Sequence, residues 1–174
     1  MKLNEIARKA IECYLEKNRF EPDYETKSKY GKNGACFVNI LKEGKLRGCV
    51  GTLNSFQPLY EDVISNAVNA GFRDYRFNPL NKQELNEISI EVFVLSKPRK
   101  INSKNLTLLK LSLKKDLGVI LKKGPNSATF LPQMWKEFPN KKDFLERLSL
   151  KAGLKKDEWR DSDIYTYKIK VFKD

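Results

Sequence analysis

The first segment whose residue types suggest chemistry is LRGCVGT, in which Cys49 lies between two glycines. Strand alternation predicts Arg47 and Cys49 on one face, where the guanidinium lowers the pKa of the thiol by stabilising the thiolate. Glycines weaken a strand and mark a close approach, so Gly48, Gly51 and Thr52 are predicted to line a ligand pocket. We predict a nucleophilic or redox-active Cys49 assisted by Arg47. The alternative is that Cys49 is a small buried hydrophobic residue.

A second segment, FRDYRFNPL, sets two arginines around a carboxylate. Asp74 can hold both Arg73 and Arg76 by charge-assisted hydrogen bonds and so fix a loop. The same two arginines are candidates for binding a ligand carboxylate or phosphate, and Asp74 is predicted to belong to the same ligand site. We expect Arg73 and Arg76 to converge with Arg47 and Cys49 on one partly open cleft that binds a small anionic ligand.

The composition excludes several classes of site. The chain has 174 residues and no histidine, which removes the Ser-His-Asp triad, the Cys-His dyad and every metal site that needs imidazole. Its three cysteines, Cys13, Cys36 and Cys49, form no CxxC pair. No apolar run is long enough to span a membrane and no signal segment is present. We therefore expect a cytoplasmic protein with no metal and no cofactor.

The charge is concentrated in one stretch. The formal net charge is +12, and residues 96–123 hold nine basic residues against Asp116 alone. Such a field attracts anions, and weak nucleic-acid binding through this stretch is one alternative function. Because the stretch has no aromatic residue and a single arginine, Arg99, we instead expect its lysines to be mostly solvated. The lysines concerned are Lys97, Lys100, Lys104, Lys110, Lys114 and Lys115.

The elements that must position these residues are a hairpin, a helix and a loop. Glu43 and Gly44 favour a tight turn between two strands, and Gly71 favours a helix end before an irregular loop over 72–80. Residues 18–33 are polar and are also predicted as a loop. The predicted helices cover 4–17 with Asn4 as the cap, 58–70 and 141–152. The predicted strands cover 35–41, 46–53, 87–95, 118–123, 128–131 and 164–172.

This mixed order of helices and strands predicts an α+β protein with an antiparallel or mixed sheet of about six strands and three or four helices, in one domain over 1–174.

The motifs LRGCVGT, QPL, FRDYRFNPL, EISIEVFVLSKP, TFLPQMW and FLERLSLKAGL, in this order, resemble the AMMECR family, protein A of the AmmeMemoRadiSam system. Val50 and Tyr75 depart from the family pattern without touching Arg47 or Cys49.

The resemblance implies a larger sheet-centred lobe, a smaller lobe and a cleft lined by the LRGC segment. It also implies association with a Memo-like protein and a radical SAM protein. The family's biochemical activity is not established, so two main functions stay open. One is an enzyme or enzyme component that uses Cys49, and the other is a non-catalytic binding or adaptor module for those partners.

Overall fold

The computed structural model describes residues 1–102 and 106–174, and over these residues it confirms the α+β class. The chain divides into two compact units. Unit 1 comprises Met1–Leu95 and Lys170–Asp174, and unit 2 comprises Ser96–Ile169. Each unit has its own cluster of buried apolar side chains.

The bounds of the elements are as follows. The helices are α1 (Leu3–Leu15), α2 (Tyr24–Lys29), α3 (Leu59–Phe72), α4 (Leu106–Ser112), α5 (Met134–Glu137) and α6 (Lys141–Lys151), with 3-10 helices at Lys82–Asn86 and Glu158–Asp161. The strands are β1 (Asn33–Gly34), β2 (Cys36–Lys42), β3 (Lys45–Gly51), β4 (Gln57–Pro58), β5 (Ile88–Leu95), β6 (Arg99–Ile101), β7 (Gly118–Lys123), β8 (Asn126–Phe130), β9 (Asp163–Tyr167) and β10 (Ile169–Lys173).

Unit 1 is built on a four-stranded sheet in the order β10-β5-β2-β3. Helices α1 and α3 pack on each other, and α3 also packs on β2 and β3. The apolar stripe of α1, with Ile6 and Ile11, meets the alternating core residues Val38 and Ile90 of the sheet. This periodic matching of helix stripe and strand face forms the core beneath β3, the strand that holds the LRGC segment.

The predicted hairpin over β2 and β3 is confirmed. Its two turn residues, Glu43 and Gly44, have φ values of 52° and 73°, so both adopt the left-handed conformation of a two-residue turn. The strands close directly on either side, with Lys42 opposite Lys45. The turn fixes the register as far as Leu41 opposite Leu46, and an irregularity beyond that pair places Cys49 opposite Asn39.

Three predicted element boundaries are wrong. Helix α1 has Lys2 at its N-cap position, while Asn4 lies buried inside the first turn and donates to Asp174 Oδ1 at 3.0 Å. Helix α3 runs through Gly71, whose lack of a side chain admits Leu80 from the following loop. Helix α2 interrupts the loop predicted over 18–33, with Asp23 accepting a hydrogen bond from Thr26 N at 2.7 Å as its N-cap.

Unit 2 is built on a second four-stranded sheet, in the order β6-β9-β7-β8. The predicted hairpin of β7 and β8 is confirmed, and Gly124 at its turn has a φ of 58°. The single strand predicted over 164–172 is wrong: β9 belongs to this sheet, whereas β10 pairs in the sheet of unit 1. One alternating stretch of sequence therefore contributes a strand to each of the two sheets.

Candidate functional site

Strand β3 is irregular at the arginine of the LRGC segment. Ile40 lies opposite Gly48 and Leu41 lies opposite Leu46, so Arg47 is an extra residue without a partner in the ladder. This is a β-bulge, a feature that redirects a side chain and interrupts strict alternation. The rule that placed Arg47 and Cys49 on one face therefore fails at this position.

The Arg47 guanidinium is bound by Glu84. Its Nε donates to Oε1 and its Nη2 donates to Oε2, both at 3.0 Å, and both side chains are largely buried. The same carboxylate accepts from the backbone N–H of Asn81 at 3.2 Å. The Arg47 guanidinium holds the pKa of the Glu84 carboxyl below its usual range. Sequence analysis missed Glu84, although its capping box with Asn81 is a local signal for an ordered acidic residue.

Asp74 joins the FRDYR loop to β3. Its Oδ2 accepts a hydrogen bond from the backbone N–H of Cys49 at 2.9 Å. It also accepts from Arg76, with Nε to Oδ1 at 2.9 Å and Nη2 to Oδ2 at 2.7 Å. These bonds, led by that from Arg76, lower the pKa of Asp74 from 3.8 to about 2. Asp74 is therefore a buried anion that fixes both the loop and the backbone at Cys49.

Arg76 is the guanidinium beside the thiol. Its Nη2 donates to the backbone carbonyl of Cys49 at 3.2 Å. The Asp74 carboxylate raises the pKa of Arg76, and hydrogen bonding and Coulomb attraction to the Cys49 side chain raise it further. Arg76 therefore occupies the place beside Cys49 that the sequence suggested for Arg47.

The other residues of the loop point elsewhere. Arg73 is exposed and donates to Asn69 Oδ1 at 3.3 Å, so Asp74 holds one of the two arginines and the expectation that it holds both is wrong. Tyr75 is 96 % exposed. The loop thus presents an aromatic ring and a cation to solvent while its Asp74 and Arg76 bind β3.

The small residues of the segment have close packing neighbours. A side chain at Gly48 would collide with the backbone carbonyl of Ala70 in α3, and one at Gly51 would collide with the ring of Phe37. This confirms that a backbone and an aromatic ring approach the two glycines. Thr52 donates from Oγ1 to the buried Asp62 Oδ2 at 2.6 Å. Their role in ligand binding stays a prediction.

Asp62 is a second carboxylate that sequence analysis missed. It is fully buried and accepts from Cys36 N at 2.9 Å, from Gln57 Nε2 at 2.9 Å and from Asn66 Nδ2 at 3.0 Å, in addition to Thr52. Buried charge is tolerated when several donors surround it. Asp62 therefore anchors the end of the LRGCVGT segment to α3 from the core side.

A polar cavity of about 550 Å³ adjoins Arg76 on the surface of unit 1. Its lining residues are Lys42, Arg47, Arg76, Phe77, Asn78, Pro79, Asn81, Gln83, Glu84 and Glu87. Among the described residues, the buried Nη1 of Arg47 has no hydrogen-bond partner. Arg47 and Arg76 are thus brought to one cavity, whereas Cys49 and Arg73 are not among its lining residues.

The cations of this cavity are already neutralised by carboxylates. Glu84 pairs with Arg47, Glu87 pairs with Lys42 at 2.7 Å, and Asp74 pairs with Arg76. The cavity therefore has no excess of positive charge, and its lining offers individual hydrogen-bond donors instead.

The three cysteines differ in their surroundings. Cys36 is buried, which raises the pKa of its thiol well above the ordinary value, whereas Cys13 and Cys49 are half-buried. Over residues 1–102 and 106–174, no group of three or more acidic or cysteine side chains is arranged to hold a metal ion. Over the same ranges no helix is long and apolar enough to cross a membrane.

The predicted solvation of the basic stretch is confirmed where the structure describes it. Lys97, Lys100, Lys114 and Lys115 are exposed. Lys104 and the side chain of Lys110 lie outside the described residues.

The fold and site define a class: an α+β protein of two units with an arginine-flanked thiol on a bulged antiparallel strand. The chain belongs to the AMMECR1 family, whose model matches residues 4–172. It is 37% identical over 180 residues to Protein NEQ441 of Nanoarchaeum equitans, covering 100% of this chain and 99% of that protein. It is 40% identical to a protein of Saccharolobus islandicus, covering 93% and 74%. The crystal structure of the uncharacterized protein PH0010 from Pyrococcus horikoshii matches with a TM-score of 0.90 and 30% identity, covering 99% of this chain and 89% of that one.

Proposed function

We propose that this chain is a cytoplasmic component of the AmmeMemoRadiSam system that binds a small anionic substrate and uses Cys49 as a nucleophilic or redox-active thiol. The observation that supports this most directly is the placement of Arg76, which donates to the backbone carbonyl of Cys49 and is attracted electrostatically to its side chain. A thiol is reactive as its thiolate, and an adjacent guanidinium stabilises that form without needing a histidine.

The site is held in place before any ligand arrives. Asp74 fixes Arg76 by two hydrogen bonds and the Cys49 backbone by a third. Groups positioned in this way lose little free energy to reorganisation when a substrate binds. In this proposal Asp74 and Arg76 position and activate the thiol, and Cys49 is the residue that reacts.

Substrate binding is assigned to the polar cavity next to Arg76. Arg76 and the amides of Asn78, Asn81 and Gln83 supply hydrogen-bond donors to the lining of this cavity. A carboxylate, phosphate or carbonyl oxygen is the group that satisfies such a donor. Glu84 holds the Arg47 guanidinium in a fixed orientation at the cavity by two hydrogen bonds.

The experiment is competitive alkylation with iodoacetamide, followed by mass spectrometry of the three cysteine peptides. Cys13 is the matched control because it is half-buried like Cys49. We expect Cys49 to react at neutral pH at least about ten times faster than Cys13, with a midpoint below the usual value of about 8.5. Arg76→Met should slow the labelling of Cys49, whereas Arg73→Met in the same loop should leave it unchanged. Equal, slow labelling of Cys49 and Cys13 would exclude a nucleophilic role.

A binding or adaptor role is the second candidate, and the exposure of Tyr75 favours it. An aromatic ring that is 96 % exposed, beside the exposed Arg73, is typical of a residue that becomes buried by a protein partner. The test is binding to the purified Memo-like and radical SAM proteins of the same genome. Tyr75→Ser should weaken binding at least about tenfold, whereas Tyr24→Ser, at an 88 % exposed tyrosine in α2, should not.

A further inference from the structure

Unit 2 contains a second cavity whose charge differs from that of the first. It has a volume of about 530 Å³, within the range of small-molecule sites. Its lining residues are Ser96, Lys97, Pro98, Arg99, Leu117, Thr166, Tyr167 and Lys168. Three of these residues are cations and none is acidic.

None of the three cations has a counter-ion in the part of the chain that the structure describes. Among the described residues, no carboxylate lies within ion-pair distance of Lys97, Arg99 or Lys168, whereas the nearby Lys100 pairs with Asp163 at 2.8 Å. In the cavity of unit 1, by comparison, every lysine and arginine has a carboxylate partner. The cavity of unit 2 is therefore lined by three cations that no described carboxylate neutralises.

The backbone holds these cations together. Ser96 N donates to the carbonyl of Lys168 at 2.9 Å, and Lys168 N donates to Ser96 Oγ at 3.0 Å. Arg99 lies opposite Thr166 in the pairing of β6 with β9. Like charges that line one cavity repel each other, and a bound anion would relieve that repulsion.

The rest of the lining is apolar. Pro98 and Leu117 are half-buried and Tyr167 is buried, so the cavity offers hydrocarbon surface next to the cations. An inorganic anion would use the charges alone. A ligand with both an anionic group and an apolar body would use both parts of the lining.

We propose that this cavity is a binding site for a small phosphomonoester with an apolar body. At neutral pH a phosphomonoester carries a charge of about −1.5 to −2, which matches three cations better than the single charge of a carboxylate does. Arg99 can bind two phosphate oxygens through its planar guanidinium, and the two lysines provide point charges. The site is independent of Cys49, so its failure would leave the proposed thiol chemistry untouched.

The test is an NMR titration of the full chain in about 0.15 M salt with four probes. Phenyl phosphate should bind most tightly, benzoate and inorganic phosphate at least about fivefold more weakly, and phenol without detectable affinity. The shifted resonances should belong to residues of the cavity lining.

Two triple variants separate the cavity from the general field. Changing Lys97, Arg99 and Lys168 to Gln should weaken phenyl phosphate binding at least about tenfold. Changing Lys114, Lys115 and Lys136 to Gln removes the same charge from exposed sites of the same unit. This variant should change the affinity for phenyl phosphate less than about twofold. Lys168→Glu alone is a second variant. It leaves the residues of the edge strand β6 unchanged, so it disturbs that strand less than the triple variant does.

Several results would overturn the proposal. An equal loss in both triple variants would show attraction by the net charge alone. Equal affinity for inorganic phosphate and phenyl phosphate would show that the apolar lining residues do not contribute to binding. Binding of single-stranded RNA that is tighter than that of phenyl phosphate, and lost in the cavity variant, would assign the surface to nucleic acid instead.

Discussion

The Asp74 carboxylate accepts a hydrogen bond from the backbone N–H of Cys49 at 2.9 Å, across 25 positions of sequence. The same carboxylate binds Arg76, and Arg76 in turn contacts Cys49. Three residues from a loop and a strand thus form one closed set of contacts around the backbone of Cys49. The stability of this set and its dependence on pH can both be measured.

Asp74→Asn should destabilise the protein by about 2–3 kcal/mol. The side chain of Asp74 is only 4% exposed, so the amide leaves the Arg76 guanidinium without its counter-ion and replaces one acceptor by a donor. Urea denaturation measures the change. Asp143→Asn is the control, because Asp143 pairs with Arg147 on the exposed surface of α6 and its loss should cost less than about 0.5 kcal/mol. Similar costs for the two variants would contradict the prediction.

The pKa of Asp74 predicts a specific loss of stability in acid. Because the folded pKa is about 2 and the ordinary value is 3.8, the unfolded chain binds the proton more readily. The stabilisation is complete above about pH 5 and is lost as the pH falls through about 4 towards 2, amounting to about 2 kcal/mol. Urea unfolding of the wild type and of Asp74→Asn across this window should therefore converge at low pH. A constant difference between them would count against the assignment.

Gly48→Val should destabilise unit 1 by about 1–3 kcal/mol through overpacking. The new side chain would meet the backbone carbonyl of Ala70, and a helix backbone cannot move aside as a flexible side chain can. Ser89→Val, at an exposed position of strand β5 in the same sheet, is the control and should be close to neutral. An unchanged melting temperature for Gly48→Val would show that α3 does not pack closely here.

Cys36 should be unreactive in the native protein. Its burial raises the pKa of the thiol well above the ordinary value, and Asp62 adds to this effect. Iodoacetamide should therefore label Cys36 at the rate of unfolding, increasing with urea, while the half-buried Cys13 is labelled without urea. Labelling of both at the same rate in native buffer would disprove this difference.

Glu84→Gln should release the Arg47 guanidinium and cost about 1–3 kcal/mol, since it breaks a two-point ion pair in which both partners are largely buried. Glu87→Gln, which removes an exposed partner of Lys42 at the same cavity, is the control and should cost less than about 1 kcal/mol. Thermal denaturation distinguishes the two outcomes. Equal effects would contradict a stabilising role for the pair of Glu84 and Arg47.

Local sequence rules predicted the elements whose signals are local. Glu43 and Gly44 defined the turn of the hairpin, and the apolar alternation from Ile88 to Leu95 defined β5, because each rests on neighbouring residues alone. Helix α2 was missed because six polar residues carry no apolar stripe, so only its cap at Asp23 distinguishes it from a loop.

The tertiary structure decided the partners of the charged residues and the sheet to which each strand belongs. The alternating run over 164–172 has the same period whichever sheet it joins, so only long-range pairing could divide it into β9 and β10. Glu84 reaches Arg47 over 37 positions, a contact that no local pattern encodes. The sequence by itself determined the α+β class and identified Cys49 and the arginines of the two motifs as candidate site residues. Only the tertiary structure determined that Glu84 binds Arg47 and that Arg76 lies beside Cys49. The β-bulge in β3 and the path of the loop after α3 set the distances between these residues.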